Sequence, residues 1–249
     1  MKSLRLLAYR TFHSHLETRS GWFILIAVQL ILCFEFLSQV ETYLQYQQQV
    51  SLDSQLSGVS EWIIKPFFAA ITVMVLLIIP LMVLRLFLRN QNGNADALLN
   101  SAPIEYYKIL SGVLLGILCY HLVWIVMVLL MPFSLLFFTS IDFGIFFSGF
   151  LGIILLLFFS LSLSMFCMVM INNPVTAVFS VYGVFLFFWV LSWQINQADM
   201  ELLTAISVFH HIQPFLSGYF TTANLGFFSL FSVLFLLLTL VKKRSQLIP

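Results

Sequence analysis

Formal charge is nearly missing from this chain. Asp, Glu, Lys and Arg make up 8% of its 249 residues, against 61% hydrophobic residues and 28 phenylalanines. A soluble domain carries about a quarter of its residues as charges, so that class is excluded and a membrane protein is indicated. There is no G-x-x-x-x-G-K-[ST] phosphate loop, so the chain is not expected to hydrolyse ATP. Neither G-x-S-x-G nor H-E-x-x-H occurs, and the apolar runs contain almost no acids, which removes the usual nucleophile–base sets of an intramembrane hydrolase or transferase. Cysteine is scarce too: Cys33, Cys119 and Cys167 fall in different apolar runs with no C-x-x-C pairing. That argues against a disulfide framework or a zinc site and leaves them as packing or lipid-facing residues. Nothing points to a nucleic-acid partner, and no cofactor is expected in the chain itself.

What is present is six apolar runs, at about residues 22–40, 63–84, 109–131, 145–171, 175–195 and 225–241. Each is long enough to cross a bilayer as a helix, which takes roughly 20 residues. A barrel would show strands of alternating polarity, whereas VMVLLIIPLMVL and FLGIILLLFFSLSLSMFCMVM are apolar on every face. The predicted class is therefore all-α, a single polytopic domain over residues 1–249 with six transmembrane helices, because a helix satisfies its own backbone in lipid. Pro80 should kink the second span, and Asn173–Pro174 should turn the chain between the fourth and fifth.

The few cations orient the bundle. With the N terminus inside, Lys2, Arg5, Arg10, Arg19, Arg85, Arg89, Lys108, Lys242, Lys243 and Arg244 all fall on the cytoplasmic side and only Lys65 does not. By the positive-inside rule both termini and residues 85–108 are cytoplasmic in a multi-pass protein of the inner (plasma) membrane. The first apolar run is read as a retained span, since no small-residue cleavage site follows it. Before it, in residues 1–20, Leu4, Leu7, Ala8, Phe12, His15 and Leu16 can share one helical face. This predicts an interfacial elbow helix along the inner leaflet, the alternative being a basic topogenic leader.

Three polar features interrupt the greasy pattern. In RLFLRNQNGNADALLNSAPIEYYK, Asp96 stands near a helix start and Pro103 after its end, so residues 95–104 read as a short amphipathic helix outside the bilayer. Leu98 and Leu99 have no local core there, which points to another protein's surface or to the inner leaflet. Residues 199–224 are too polar for a full span and too apolar for an ordinary loop, and should be partly buried. The adjacent His210 and His211 point to different helical faces with no Cys, Asp or Glu set beside them, so no metal site is read. Inside the spans, Glu35 lies near the outer end of the first and His121 inside the third. Such groups are functional candidates by default. For Glu35 snorkelling to the outer interface is the competing reading, and for His121 a helix-to-helix hydrogen bond. Ser160, Ser162 and Ser164 read as helix packing.

The order of these features resembles the permease subunits of type-2 ABC transporters, in the compact branch that includes gliding-motility and nitrous-oxide-operon permeases. The resemblance is carried by PLMVLRLFLRN at the end of the second span. It continues through Gly93, Asp96, Leu98, Leu99, Ser101 and Pro103, the third-span start YYKILSGVLLGIL, the turn at Asn172, Asn173 and Pro174, and ISVFHHIQPFLSGYFTTANLGFFSL. The chain departs from the family pattern at Arg89, Asn90 and Asn94. The resemblance implies that residues 95–104 form a cytoplasmic coupling helix docked in an ABC ATPase through Asp96, Leu98, Leu99, Ser101 and Pro103. ATP and magnesium would then be held by that partner ATPase. It also implies a re-entrant outer helical hairpin before the last span, broken near Gln213–Pro214, with His210, His211, Pro214 and Gly218 at the outer gate. A second permease copy or a paralogous permease would complete the membrane unit, embedded in membrane lipid. The cargo implied is an amphipathic or hydrophobic compound, exported or extracted. A noncatalytic assembly subunit and a haem-exporter-like permease share this topology and remain as alternatives.

Overall fold

Long runs without a polar face can satisfy their backbone in lipid only by coiling, and each of the six becomes one helix. The computed structural model describes residues 2–49, 58–92, 105–171, 173–198 and 204–247, all-α with no strand among them. Helix α1 spans Lys2–Leu16 and α2 Arg19–Gln49. A π-helical turn at Ser60–Ile64 leads into α3, Lys65–Asn92. Helix α4 covers Tyr106–Ser134, α5 Phe143–Met170 and α6 Pro174–Ala198. A short helix α7, Val208–Leu216, precedes α8, Thr222–Leu247. Six of these, α2 to α6 and α8, are long and apolar enough to cross a membrane. The coupling-helix residues Asp96, Leu98, Leu99, Ser101 and Pro103 lie outside the described residues, as do residues 199–203 at the start of the outer segment.

The helix boundaries follow local chemistry. Asp142 caps α5, its carboxylate accepting from the Gly144 N–H at 2.7 Å. Its own N–H donates to Ser60 Oγ at 2.8 Å, which ties the start of α5 to the π-helical turn. Asn173 accepts from Val175 N–H at 3.0 Å with Pro174 at the first helical position of α6, a favourable place for a residue with no N–H to offer. Helix α2 runs on past residue 40, where the apolar run ends, to Gln49. ETYLQYQQQ holds no Gly or Pro to stop it, and Tyr46 stacks on Trp62 at 4.3 Å to anchor the extension. Glu35 accordingly sits near the middle of a continuous helix.

Three helices form the centre. Within their apolar windows 61% of α3 with its leading turn, 50% of α4 and 67% of α5 are buried, against 22% of α2, 22% of α6 and 28% of α8. Helix α5 is the axis, with α3, α8, α6 and α7 packed around it. Phe159 of α5 meets Phe227, Phe228 and Phe235 of α8 within 6.3 Å. Ser160, Ser162 and Ser164 are fully buried, the last two donating back to Phe158 and Ser160 carbonyls at 2.7 Å. Small hydroxyl side chains let neighbouring helices come close, and those of Ser162 and Ser164 do so with their donors bonded to their own helix, while Ser160 Oγ is buried without a partner among the described residues.

Candidate functional site

The peripheral position of α6 creates a concavity. Between α3, α6 and α7 lies a groove of about 710 Å³. Helix α6 turns Tyr182, Phe185, Trp189 and Trp193 toward it at helical spacing, and α3 contributes Thr72, Leu76 and Leu77. Helix α7 supplies Phe209, Ile212, Gln213 and Leu216. Among the described residues that line it, none carries a formal charge. Two of the polar groups are already satisfied by backbone: Thr72 Oγ1 donates to Phe68 O at 3.0 Å and Tyr182 Oη to Leu77 O at 2.6 Å. The second bond falls one turn before Pro80, whose missing N–H and ring loosen the carbonyls of the turn before it. Trp189 and Trp193 are each 64% exposed, so the groove opens on the outside of the bundle. Chemically it can take an apolar chain or ring with a small polar end near Gln213 and Ser192, and offers nothing to a bare ion.

Helix α7 forms the third wall, and close approach holds it in place. A Cβ on Gly152 of α5 would lie 2.6 Å from Phe215 Cβ, so only glycine lets α7 seat there. Ser207 caps α7, its hydroxyl accepting from His210 N–H at 3.4 Å. Gly218 ends it with φ +89°, packed on Ile145, a conformation that side chains resist. The four gate residues do not converge. His211 stacks on Phe227 at 4.1 Å, with Nδ1 2.9 Å from Asn224 Oδ1 and Nε2 3.2 Å from Ala205 O, which ties α7 to α8. His210 is exposed, Pro214 lies within α7 and Gly218 turns the chain. Among the described residues no three His, Cys, Asp or Glu side chains are grouped to hold a metal.

Gly152→Leu is expected to lever α7 off α5 and deform the groove. Overpacking of this kind costs about 1–3 kcal/mol. The thermal midpoint in detergent should fall, while Gly183→Leu, at a position with nothing within 4 Å, should not lower it.

The intramembrane polar candidates stand apart from the groove. His121 is completely buried, and its Nδ1 lies 2.9 Å from Ile117 O of its own helix. Among the described residues the helix-to-helix bond expected for it is not formed, and its Nε2 is buried without a partner. Glu35 accepts from Gln39 Nε2 at 2.8 Å, one turn further along α2.

A close helix pair, absent from the sequence reading, occupies the other end of the bundle. The α1 stripe Leu4, Leu7, Ala8, Thr11 and His15 lies along the first half of α4, meeting Gly112, Gly116 and Tyr120 in turn. A Cβ at Gly112 would be 2.7 Å from Leu7 Cβ, and one at Gly116 2.6 Å from Thr11 Cβ. The signal was the G-x-x-x-G spacing in GVLLG, a pattern for close helix pairing. Where α1 ends, His15 packs on Tyr120 at 5.2 Å, and Gly21 is crowded by Arg85 Nη1 and Tyr120 Oη. Just before α4, Glu105 is bonded by Lys108 Nζ at 2.6 Å, which holds its carboxyl below the ordinary range.

No protein-family model and no curated protein matches this chain. What its fold defines is a class, a multi-pass helical membrane protein with six spans.

Proposed function

We propose that the chain is the permease subunit of an ATP-binding cassette transporter, exporting or extracting an amphipathic compound. Both termini and residues 85–108 lie in the cytoplasm, a separate ATPase docks on residues 95–104, and a second permease completes the membrane unit. The observation that carries the reading is the uncharged groove between α3, α6 and α7. It borders the second span, whose cytoplasmic end leads directly into the polar island, so movement of the island can alter the groove through one helix. A groove that opens on the outside of the bundle and is lined by Trp189, Trp193 and Phe185 suits cargo that enters from lipid. The chain supplies the path, and its lack of a phosphate loop leaves energy to the partner.

The test is purification with and without a co-expressed ABC ATPase. The chain alone should turn over no ATP, the complex should, and amphipathic compounds should stimulate it. ATP turnover by the isolated chain, or failure to retain any ATPase, would overturn the proposal.

A further inference from the structure

Docking on α4 uses up one face of α1 and leaves the other uncovered. On that outward face Arg5 and Tyr9 are one turn apart, as are Leu6 and Arg10, and all four are exposed. Leu6 is 68% and Tyr9 64% exposed, large apolar side chains set between two guanidinium groups. Among the described residues neither arginine has an ion-pair partner, since the one acid nearby, Glu17, faces His13 Nδ1 at 3.0 Å. We infer that this face binds anionic phospholipid headgroups. The guanidiniums match the phosphates of an anionic leaflet, while Leu6 and Tyr9 enter the boundary with the acyl chains, the distribution expected of a helix seated at a charged membrane surface. An acidic protein surface would answer the arginines and leave the apolar pair in water, so charge and apolarity together select the lipid. Because Gly112 and Gly116 hold α1 in register against α4, the bound headgroups also brace the helix that packs on Tyr120 beside Arg85.

The inference rests on the proposed cytoplasmic placement of the N terminus, and its test is chosen to be independent of it. Native mass spectrometry of the full chain in detergent, titrated with phosphatidylglycerol or phosphatidylcholine, reads headgroup preference whichever side α1 faces. Wild type should retain phosphatidylglycerol over phosphatidylcholine. Arg5→Gln with Arg10→Gln should weaken phosphatidylglycerol binding by about fivefold for each arginine. Lys242→Gln with Lys243→Gln, which removes the same charge at the far end of α8, should leave most of the binding intact. Equal retention of the two lipids by wild type, no loss in the arginine variant, or an equal loss in the lysine variant would overturn the inference. If the lipid preference holds and cysteine labelling places the N terminus outside, the topology fails instead.

Discussion

A chain carrying Leu98→Asp and Leu99→Asp is expected to insert in the membrane at normal levels and to lose its ATPase. On the proposed reading the two leucines fill an apolar groove of the partner, each worth roughly 1.5–3 kcal/mol when buried. Aspartates there forfeit that contribution and place uncompensated carboxylates in a desolvated contact. The complex should weaken by orders of magnitude, because each 1.4 kcal/mol is tenfold in affinity. On that reading residues 95–104 serve docking and not the packing of the six spans, so membrane levels should not change. Asp96→Ala should be milder, about 0.5–2 kcal/mol if the carboxylate caps the helix start. Capture of the ATPase from solubilised membranes, run beside an insertion control, gives the reading. Full capture and transport by the double variant would return the polar island to an unexplained connection.

The spans were legible because the membrane demands so few things of a sequence. Length and uniform apolarity locate them, and the turn at Asn173–Pro174 is written in its residue types. Ends were less legible. The apolar run of α2 stops near residue 40, yet polarity alone does not break a helix, and stacking of Tyr46 on Trp62 carries it to Gln49. The π-helical turn at Ser60–Ile64 has no compositional mark at all, and it is fixed from 82 residues away by the Asp142 N–H bond to Ser60.

The groove could not be read from the chain for a related reason. Its walls come from residues 69–77, 182–193 and 209–216; the first two segments by themselves look like lipid-facing helix, and the third reads only as a partly buried outer segment. Only the seating of α7 on Gly152, a residue chosen for what it lacks, makes three such surfaces into one concavity. His121 shows the converse. Its burial was legible, but its partner was not: Nδ1 turns to the Ile117 carbonyl of its own helix, and Nε2 is left buried with no partner among the described residues.

Gly116→Leu is expected to free α1 from the bundle. At Gly116 a Cβ would meet Thr11 Cβ at 2.6 Å, Ala8 O at 2.7 Å and Thr11 Cγ2 at 3.0 Å. A side-chain tip can turn aside, but the Ala8 carbonyl belongs to the backbone of α1 and can yield only if the helix moves as a whole. The gain in helix propensity on leaving glycine is at most about 1 kcal/mol, whereas overpacking costs about 1–3 kcal/mol. The clash should therefore win and be relieved by undocking, since α1 is joined to α2 only through the break at Glu17–Thr18. Limited trypsin digestion reads the result, because cleavage after Arg10 requires α1 to unfold locally and should accelerate by about tenfold, for a docking loss near 1.4 kcal/mol. Gly226→Leu, with nothing within 4 Å, should be cut at the wild-type rate. Gly116→Ala should fall between, and adding Thr11→Gly to it should restore protection only in part. That change removes the contacts at 2.6 and 3.0 Å while the Ala8 carbonyl at 2.7 Å stays. Wild-type protection in Gly116→Leu would mean that α1 is not held by its close approach to α4, and that its seat beside Tyr120 and Arg85 has another cause.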